Sequence, residues 1–332
     1  MMRLPPFRYV APDTLQEAAA LLGEHGPEAA LAAGGSDLYP KLKRGQLRPA
    51  VVVGLRRVPG LRGVRGDPSG GLAIGALTPL RELATHPALA GATALARAAS
   101  VVASPHVRRV ATIGGNLCLD ARCSFYDRTR SWRESVGFCL KASGDTCWVA
   151  PGASRCWAIA SSDLAPAAVA LGARLRLVGA GGGRIVPASA FYRADGLAPL
   201  AKASDEIVAE VLLPETEGVR STYLKLRARG SIDFPALGVA VAVQLAEDGT
   251  CTDARIVLGA VAPAPLSAVH AERILVGRPL TEDAVSEAAA AAARLAKPLR
   301  NADLGHGYRK RMIPVYVKRA LEELASAPVS AS

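Results

Sequence analysis

The sequence predicts an α+β protein: a two-part N-terminal α/β domain followed by a separate C-terminal α+β domain. Three observations carry this. Short strand and helix signals alternate through the first third of the chain. From about residue 221 strands come first and helices after them, the order of an α+β unit. Between these regions, residues 117–161 follow neither period, yet hold five of the six cysteines and all three tryptophans. So long an aperiodic stretch inside a compact chain is usually functional.

Thr14-Leu15-Gln16-Glu17 is a capping box, and Ala18, Ala19 and Leu22 follow at helical spacing. Leu31-Ala32-Ala33 reads as a short buried strand entering Gly34-Gly35, and Ala50 to Leu55 as a β-branched strand. Thr78 with Pro79 is expected to cap a helix carrying Leu80, Leu83 and Ala84, and residues 94–102 form another apolar helix. After the cysteine-rich stretch, helix 164–171, strand Arg174 to Val178 and a turn from Gly179 to Gly183 restore the pattern. In the C-terminal part, 236–245 and 254–261 read as strands, Asp283 to Lys297 as an Ala-rich helix, and Tyr308 to Ala325 as a closing amphipathic helix. The expected units are 1–219 (subdomains about 1–60 and 61–219, with an insertion at about 118–160) and 220–328.

The bulk properties exclude several classes. With 332 residues, half of them apolar, the chain can bury a large core without disulfides. No run of about 18 apolar residues exists, so no membrane-spanning helix is expected. The first ten residues lack the apolar region of a secretory signal, which points to the cytoplasm. The net charge is +11, and between Asp37 and Asp67 eight bases occur without an acid. Few aromatics are interleaved and no nucleic-acid motif appears, so a solvated face, an acidic partner or an anionic ligand is expected rather than nucleic acid.

Two glycine motifs stand out. Leu31-Ala32-Ala33-Gly34-Gly35-Ser36-Asp37-Leu38 and Ala111-Thr112-Ile113-Gly114-Gly115-Asn116-Leu117 both read as a strand entering a Gly-Gly turn. Paired glycines admit a ligand close to the backbone, and successive amides form an anion nest suited to a diphosphate. A plain turn is the bland alternative. Neither motif, nor Gly179-Ala180-Gly181-Gly182-Gly183-Arg184, is a G-x-G-x-x-G fingerprint, so a Rossmann NAD site is not expected.

Cys123, Cys139, Cys147 and Cys156 share one loop, with Cys118 just before it and Cys251 remote. Five cysteines in so short a stretch exceed what scattered core thiols explain. A cytoplasmic setting disfavours disulfides. Zinc prefers thiolate pairs two to four residues apart, which these lack. Four thiolates suit an iron–sulfur cluster, although the spacing matches no ferredoxin signature. From chemistry alone, cluster, zinc and plain thiols stay open. Asp163 reads as an N-cap before helix 164–171, and Lys225 in Tyr223-Leu224-Lys225-Leu226 as an outward strand lysine. The five histidines are scattered, and no hydrolytic triad is apparent.

These residues resemble, almost end to end, the medium, flavin-binding subunits of the xanthine dehydrogenase and carbon monoxide dehydrogenase superfamily. The resemblance includes Phe7-Arg8-Tyr9-Val10-Ala11-Pro12-Asp13-Thr14-Leu15 and is strongest at the two glycine motifs. It implies a PCMH-type FAD-binding domain, a C-terminal domain of the CO dehydrogenase flavoprotein type, and FAD diphosphate on Leu31, Ala32, Ala33, Gly34, Gly35, Ser36, Asp37, Leu38, Thr112, Ile113, Gly114, Gly115 and Asn116. The family's Ser-Asp-Leu-x-Pro aspartate falls on Asp163, its flavin-contacting lysine on Lys225, and further contacts near Val102 and Val208. In the first motif Ser36 stands where Thr is common, which keeps the hydroxyl.

Roughly 40 residues separate the second glycine motif from Asp163, where ordinary medium subunits have almost none. That insertion resembles the one in the β subunit of 4-hydroxybenzoyl-CoA reductases, with specific matches at Asn116-Leu117-Cys118-Leu119-Asp120-Ala121-Arg122-Cys123-Ser124-Phe125-Tyr126 and Gly137-Phe138-Cys139-Leu140-Lys141. By that resemblance Cys123, Cys139, Cys147 and Cys156 bind a [4Fe–4S] cluster and Cys118 does not. The chain would then be an electron relay without substrate chemistry of its own. It would join a molybdenum–pterin large subunit and a [2Fe–2S] small subunit in an (αβγ)2 assembly, with ferredoxin as donor. The alternatives are an FAD subunit of an oxidative molybdenum hydroxylase acting on aldehydes, purines or N-heteroaromatics, and a non-catalytic zinc or nucleic-acid module.

Overall fold

The structure is a computed structural model that describes residues 3–326; the last two residues of the expected 220–328 unit lie outside them. The first layer is a parallel three-stranded sheet in the order β1-β3-β2, from β1 (Arg8–Val10), β2 (Ala29–Ala32) and β3 (Val51–Gly54). Parallel strands need crossovers, and α1 (Leu15–His25) and α2 (Leu38–Lys43) supply them. The capping box forms: Thr14 Oγ1 accepts the Glu17 N–H at 3.1 Å, and Glu17 accepts the Asp13 N–H at 3.0 Å. Ala18, Ala19 and Leu22 of α1 share a core with Val51 and Val53.

The second sheet is antiparallel throughout. Its order is β4-β5-β8-β6-β7, from β4 (Val64–Gly66), β5 (Leu72–Gly75), β6 (Arg174–Gly179), β7 (Gly182–Pro187) and β8 (Ile207–Leu213). Between β5 and β6 run α3 (Leu80–Leu83), α4 (Thr93–Val101), α5 (Pro105–Arg108), α6 (Ile113–Leu117), α7 (Arg130–Ser135) and α8 (Leu164–Ala170). The expected Thr78 cap does not form: its hydroxyl bonds the Gly75 carbonyl at 2.7 Å, and Pro79 occupies the cap position of α3.

The third sheet is antiparallel, in the order β12-β11-β10-β9, from β9 (Val219–Leu226), β10 (Leu237–Leu245), β11 (Cys251–Gly259) and β12 (Leu266–Ser267). One face packs on α9 (Val269–Leu275), α10 (Glu282–Leu295) and α11 (His306–Ser326) through Val239, Val241 and Val243. The other face, through Ala240, Ala242 and Tyr223, joins the core that contains α4 and α8. A sheet covered on both sides explains why β10 is one continuous apolar run. Among the described residues no helix is long and apolar enough to cross a membrane.

Candidate functional site

The three sheets meet around a cleft of about 460 Å³. The first glycine motif forms one wall with Leu31, Ala33, Gly34, Gly35, Ser36, Asp37 and Leu38; Ala32 alternates into the core. Across the cleft stand Thr112, Gly114, Gly115 and Asn116, with Ile113 turned fully inward. Val102 and Val208 line it too. β8 carries one more residue than its partner between Arg176↔Glu210 and Leu177↔Val208, a bulge at the point where Val208 faces the cleft.

The glycines are not equivalent. A Cβ on Gly34 would lie 1.7 Å from the Val110 carbonyl oxygen, so this residue lets the two glycine segments touch. Gly35 has φ +71°, and its Cβ would meet the Tyr39 ring at 2.4 Å. Gly114 sits against Ala76 at 2.7 Å. Only Gly115 is open: its Cβ would meet nothing but Thr112 Oγ1 at 3.0 Å.

The second motif departs from expectation. It does not leave a strand; it is the N-capped helix α6, with Thr112 Oγ1 accepting the Gly115 N–H at 3.1 Å. The N–H groups of Ile113, Gly114 and Asn116 are bonded to Thr78, Ala76 and Thr112 carbonyls. By contrast, the N–H groups of Gly35, Ser36 and Asp37 have no partner in the chain among the described residues. Three successive free amides beside an apolar cleft are the donor set a diphosphate needs, so the residues present fit FAD, with the anion nest on the first motif.

Asp163 and Lys225 come together, behind the cleft wall rather than in it. Lys225 Nζ lies 2.9 Å from Asp163 Oδ2 and donates to the Val101 carbonyl at 3.1 Å; Tyr223 donates to Asp163 Oδ1 at 2.8 Å. Both expectations from sequence need correcting. Lys225 does not point outward, because α4 covers that face of β9 and Asp163, at the start of α8, reaches it. Asp163 makes no capping bond, because its carboxylate is spent on Tyr223 and Lys225. Burial pushes Asp163 up and Lys225 down; each group's attraction for the other opposes that. The cap belongs to Ser162, whose Oγ accepts the Ala165 N–H at 2.9 Å and donates to Asn116 Oδ1 at 2.7 Å. The lysine is thus tied to the backbone next to Val102, and α8 to the second glycine motif.

Several wall residues were not expected in the cleft from sequence: Lys41, Cys118, Leu119, Asp120, Ile232 and Phe234. Lys41 belongs to the basic run but is buried, with its Nζ 3.2 Å from Asp37 and 3.1 Å from Asp120. Burial would raise the Asp120 carboxyl, but Lys41 and Lys141 outweigh it and hold it below its ordinary range. Ile232 and Phe234 come from the β9–β10 loop. Ile232 (φ +72°) donates its N–H to the carbonyl of Ala103 (φ +41°) at 2.8 Å, so two residues in the left-handed region meet at the cleft. Arg122 stacks on Phe234 at 3.8 Å. Left-handed backbone at non-glycine residues leaves no sequence signal.

Beyond the cleft, Cys123, Cys139, Cys147 and Cys156 are all buried, free, and lining one small cavity. Phe125 and Trp148 meet edge-on at 5.5 Å beside it, and Lys141 is its one charged wall residue. A two-way backbone pair, Arg122 with Ile159 at 2.8 Å, closes the base of the loop. Cys118 lies instead in the cleft wall, and Cys251 on β11. Among the described residues no three His, Cys, Asp or Glu side chains converge to hold a single metal ion. A four-iron cluster binds each thiolate to a different iron, so convergence on one point is not needed. The free volume is about 10 Å³, less than a cluster occupies, so the side chains would have to part to admit one; what the lining offers is donors, four free thiols with the Ala158 N–H directed at Cys156 Sγ at 3.4 Å.

Comparison with known proteins agrees with the cleft. Residues 5–216 match the FAD binding domain in molybdopterin dehydrogenase, and residues 221–324 the CO dehydrogenase flavoprotein C-terminal domain. The chain is 32% identical to the carbon monoxide dehydrogenase medium chain of Hydrogenophaga pseudoflava, covering 96% of each. It is 28% identical to the nicotinate dehydrogenase FAD-subunit of Eubacterium barkeri, covering 83% of this chain and 81% of that one. The solved carbon monoxide dehydrogenase from H. pseudoflava, in a form lacking the Mo-pyranopterin moiety of the molybdenum cofactor, superposes with a TM-score of 0.77 at 30% identity over 97% of this chain and 98% of that chain. These matches set aside a non-catalytic zinc or nucleic-acid module. With a two-domain fold built around a glycine-walled cleft, the chain belongs to the xanthine and CO dehydrogenase family as an FAD-binding medium subunit of a molybdenum oxidoreductase.

Proposed function

We propose that this subunit carries a [4Fe–4S] cluster on Cys123, Cys139, Cys147 and Cys156 beside its FAD. In this reading it relays electrons from ferredoxin to a molybdenum–pterin large subunit, by way of a [2Fe–2S] small subunit, in an (αβγ)2 complex. The reaction served is the reductive dehydroxylation of 4-hydroxybenzoyl-CoA to benzoyl-CoA. The supporting observation is that four buried free thiols line one cavity, adjacent to the cleft through the segment 118–123. In the cleft, the amides of Gly35, Ser36 and Asp37 would hold the FAD diphosphate, and Val102, Gly115 and Val208 would border the cofactor. FAD stores two electrons and releases them singly, and a cluster exchanges one at a time. The chain supplies placement, burial and charge. It offers no substrate-binding motif.

Anaerobic purification with iron, sulfide and flavin analysis tests this. The native chain should hold about four irons and four sulfides. Each of Cys123→Ser, Cys139→Ser, Cys147→Ser and Cys156→Ser should fall below that, whereas Cys118→Ser and Cys251→Ser should not. A native chain without acid-labile sulfide would defeat the cluster reading and leave the flavin reading standing. The second reading, an oxidative hydroxylase subunit for aldehydes or N-heteroaromatics, draws on the nicotinate dehydrogenase relative. Benzoyl-CoA formation with reduced ferredoxin, tested on the assembled complex, separates the two.

A further inference from the structure

The cleft and the cysteine cavity are joined by one line of charge, with its two lysines buried and its carboxylates, Asp37 and Asp120, 28% and 29% exposed. Asp37 Oδ2 lies 3.2 Å from Lys41 Nζ, Lys41 Nζ lies 3.1 Å from Asp120 Oδ2, and Asp120 Oδ1 lies 2.8 Å from Lys141 Nζ. Asp37, Lys41 and Asp120 line the cleft, and Lys141 lines the cysteine cavity. The lysine side chains are only 5% and 7% exposed. Lys141 is also fixed by the Gly196 carbonyl, and Gly196 itself packs on Cys156 Sγ. Asp120 sits between Cys118, in one wall, and Cys123, in the other.

Packing alone does not call for this arrangement. Burying two ammonium groups costs desolvation that their partners roughly offset, and apolar residues of the same volume would serve a core at least as well. What the line achieves is to place one carboxylate in the wall of the cleft and a single lysine away from the cysteine cavity. We infer that Asp120 is a positioning residue that electrostatically couples the two redox centres, setting the potentials of flavin and cluster together through Lys41 and Lys141. The inference rests on the proposed cluster. A reduced flavin or a reduced cluster each carries one more negative charge, or shares one with a proton. A fixed carboxylate between them therefore disfavours reduction of both, and its loss favours both.

The test uses the anaerobically purified complex, with the cluster potential read by EPR-monitored titration and the flavin potential by visible absorbance. Asp120→Asn keeps the shape and removes one charge. It should retain flavin, iron and sulfide and shift both midpoints upward. Asp120→Glu should return both midpoints toward the native values. Lys141→Gln should shift them downward, the cluster more than the flavin, because Lys141 borders only the cysteine cavity. Fully loaded Asp120→Asn protein with either midpoint unmoved overturns the inference, as does an Asp120→Glu shift equal to that of Asp120→Asn. Where Asp120→Asn loses its cofactors, Lys141→Gln decides, and unmoved midpoints there overturn it. Absence of iron and sulfide from the unsubstituted complex is a separate outcome: it removes the cluster reading itself, and the coupling with it.

Discussion

Gly35 and Gly115 occupy matching places in two similar motifs, yet the structure separates their roles. Gly35 is demanded by its own backbone, at φ +71° against the Tyr39 ring. Gly115 has ordinary helical backbone and faces open cleft. Gly115→Val should therefore lower the flavin-to-protein ratio severalfold with little loss of stability. Gly35→Val should lower the melting temperature, by an amount that reflects about 1–2 kcal/mol of left-handed strain plus the clash. Full flavin in Gly115→Val would show that the cleft wall at that point is not in contact with the cofactor. The Asp163–Lys225 pair permits a second test. Removing one partner of a buried pair strands the other, at roughly 3–5 kcal/mol. Asp163→Asn and Lys225→Met should each destabilise the chain by about that much in urea titrations, and the double variant by much less than their sum. Additive losses would mean that the two groups act separately.

The regular elements were legible because local chemistry and periodicity decide them. The Thr14–Glu17 box, α10 and the apolar run of β10 all stand where spacing puts them. What was not legible depends on contacts between remote segments. Alternation in Tyr223-Leu224-Lys225-Leu226 tells which residues share a face, but not that the lysine's face is roofed by α4 and met by Asp163. Lys41 reads as one more base in a basic run until Asp120, far along the chain, closes on it. The Gly114-Gly115 pair looks like a turn because nothing local reveals that Thr112 caps a helix there. The cysteine loop was legible by composition alone, and its join to the cleft was not: Cys118, Leu119 and Asp120, the start of the insertion, are cleft wall. The four cysteine variants should consequently differ in a second property. Cys139→Ser and Cys147→Ser, remote in sequence from that wall, should keep most of their flavin after losing iron. Cys123→Ser, three residues from Asp120, should lose more of it. Equal flavin retention in all four would show that the insertion does not shape the cleft.

At the scale of the whole molecule, the net charge of +11 is unevenly spread. Arg3, Lys43, Arg44, Arg48 and Arg130 line one groove with no acidic residue among its walls, and none of the five forms an ion pair among the described residues. The groove's far side is the start of α7, which belongs to the cysteine loop. The Arg130 N–H donates to the Arg44 carbonyl at 3.0 Å, and Arg133 of the same helix bonds the Gly45 carbonyl and stands 5.4 Å from the ring of Tyr126, a wall of the cysteine cavity. A basic groove one residue layer from the proposed cluster site is suited to steer an acidic carrier, and steering of this kind weakens as salt shortens the Debye length to about 8 Å at physiological ionic strength. Under the proposed ferredoxin-linked reading, kcat/KM for ferredoxin should fall steeply between low and high salt, while reduction by a small neutral dye should not. Reversing two exposed charges in Arg48→Glu/Arg130→Glu should raise KM for ferredoxin by about tenfold or more, flatten the salt dependence, and leave dye-driven turnover and cofactor content unchanged. A double variant with native KM and native salt slope would move the carrier's contact to another face of the complex. One that no longer assembles with its partner subunits would assign the groove to that assembly instead.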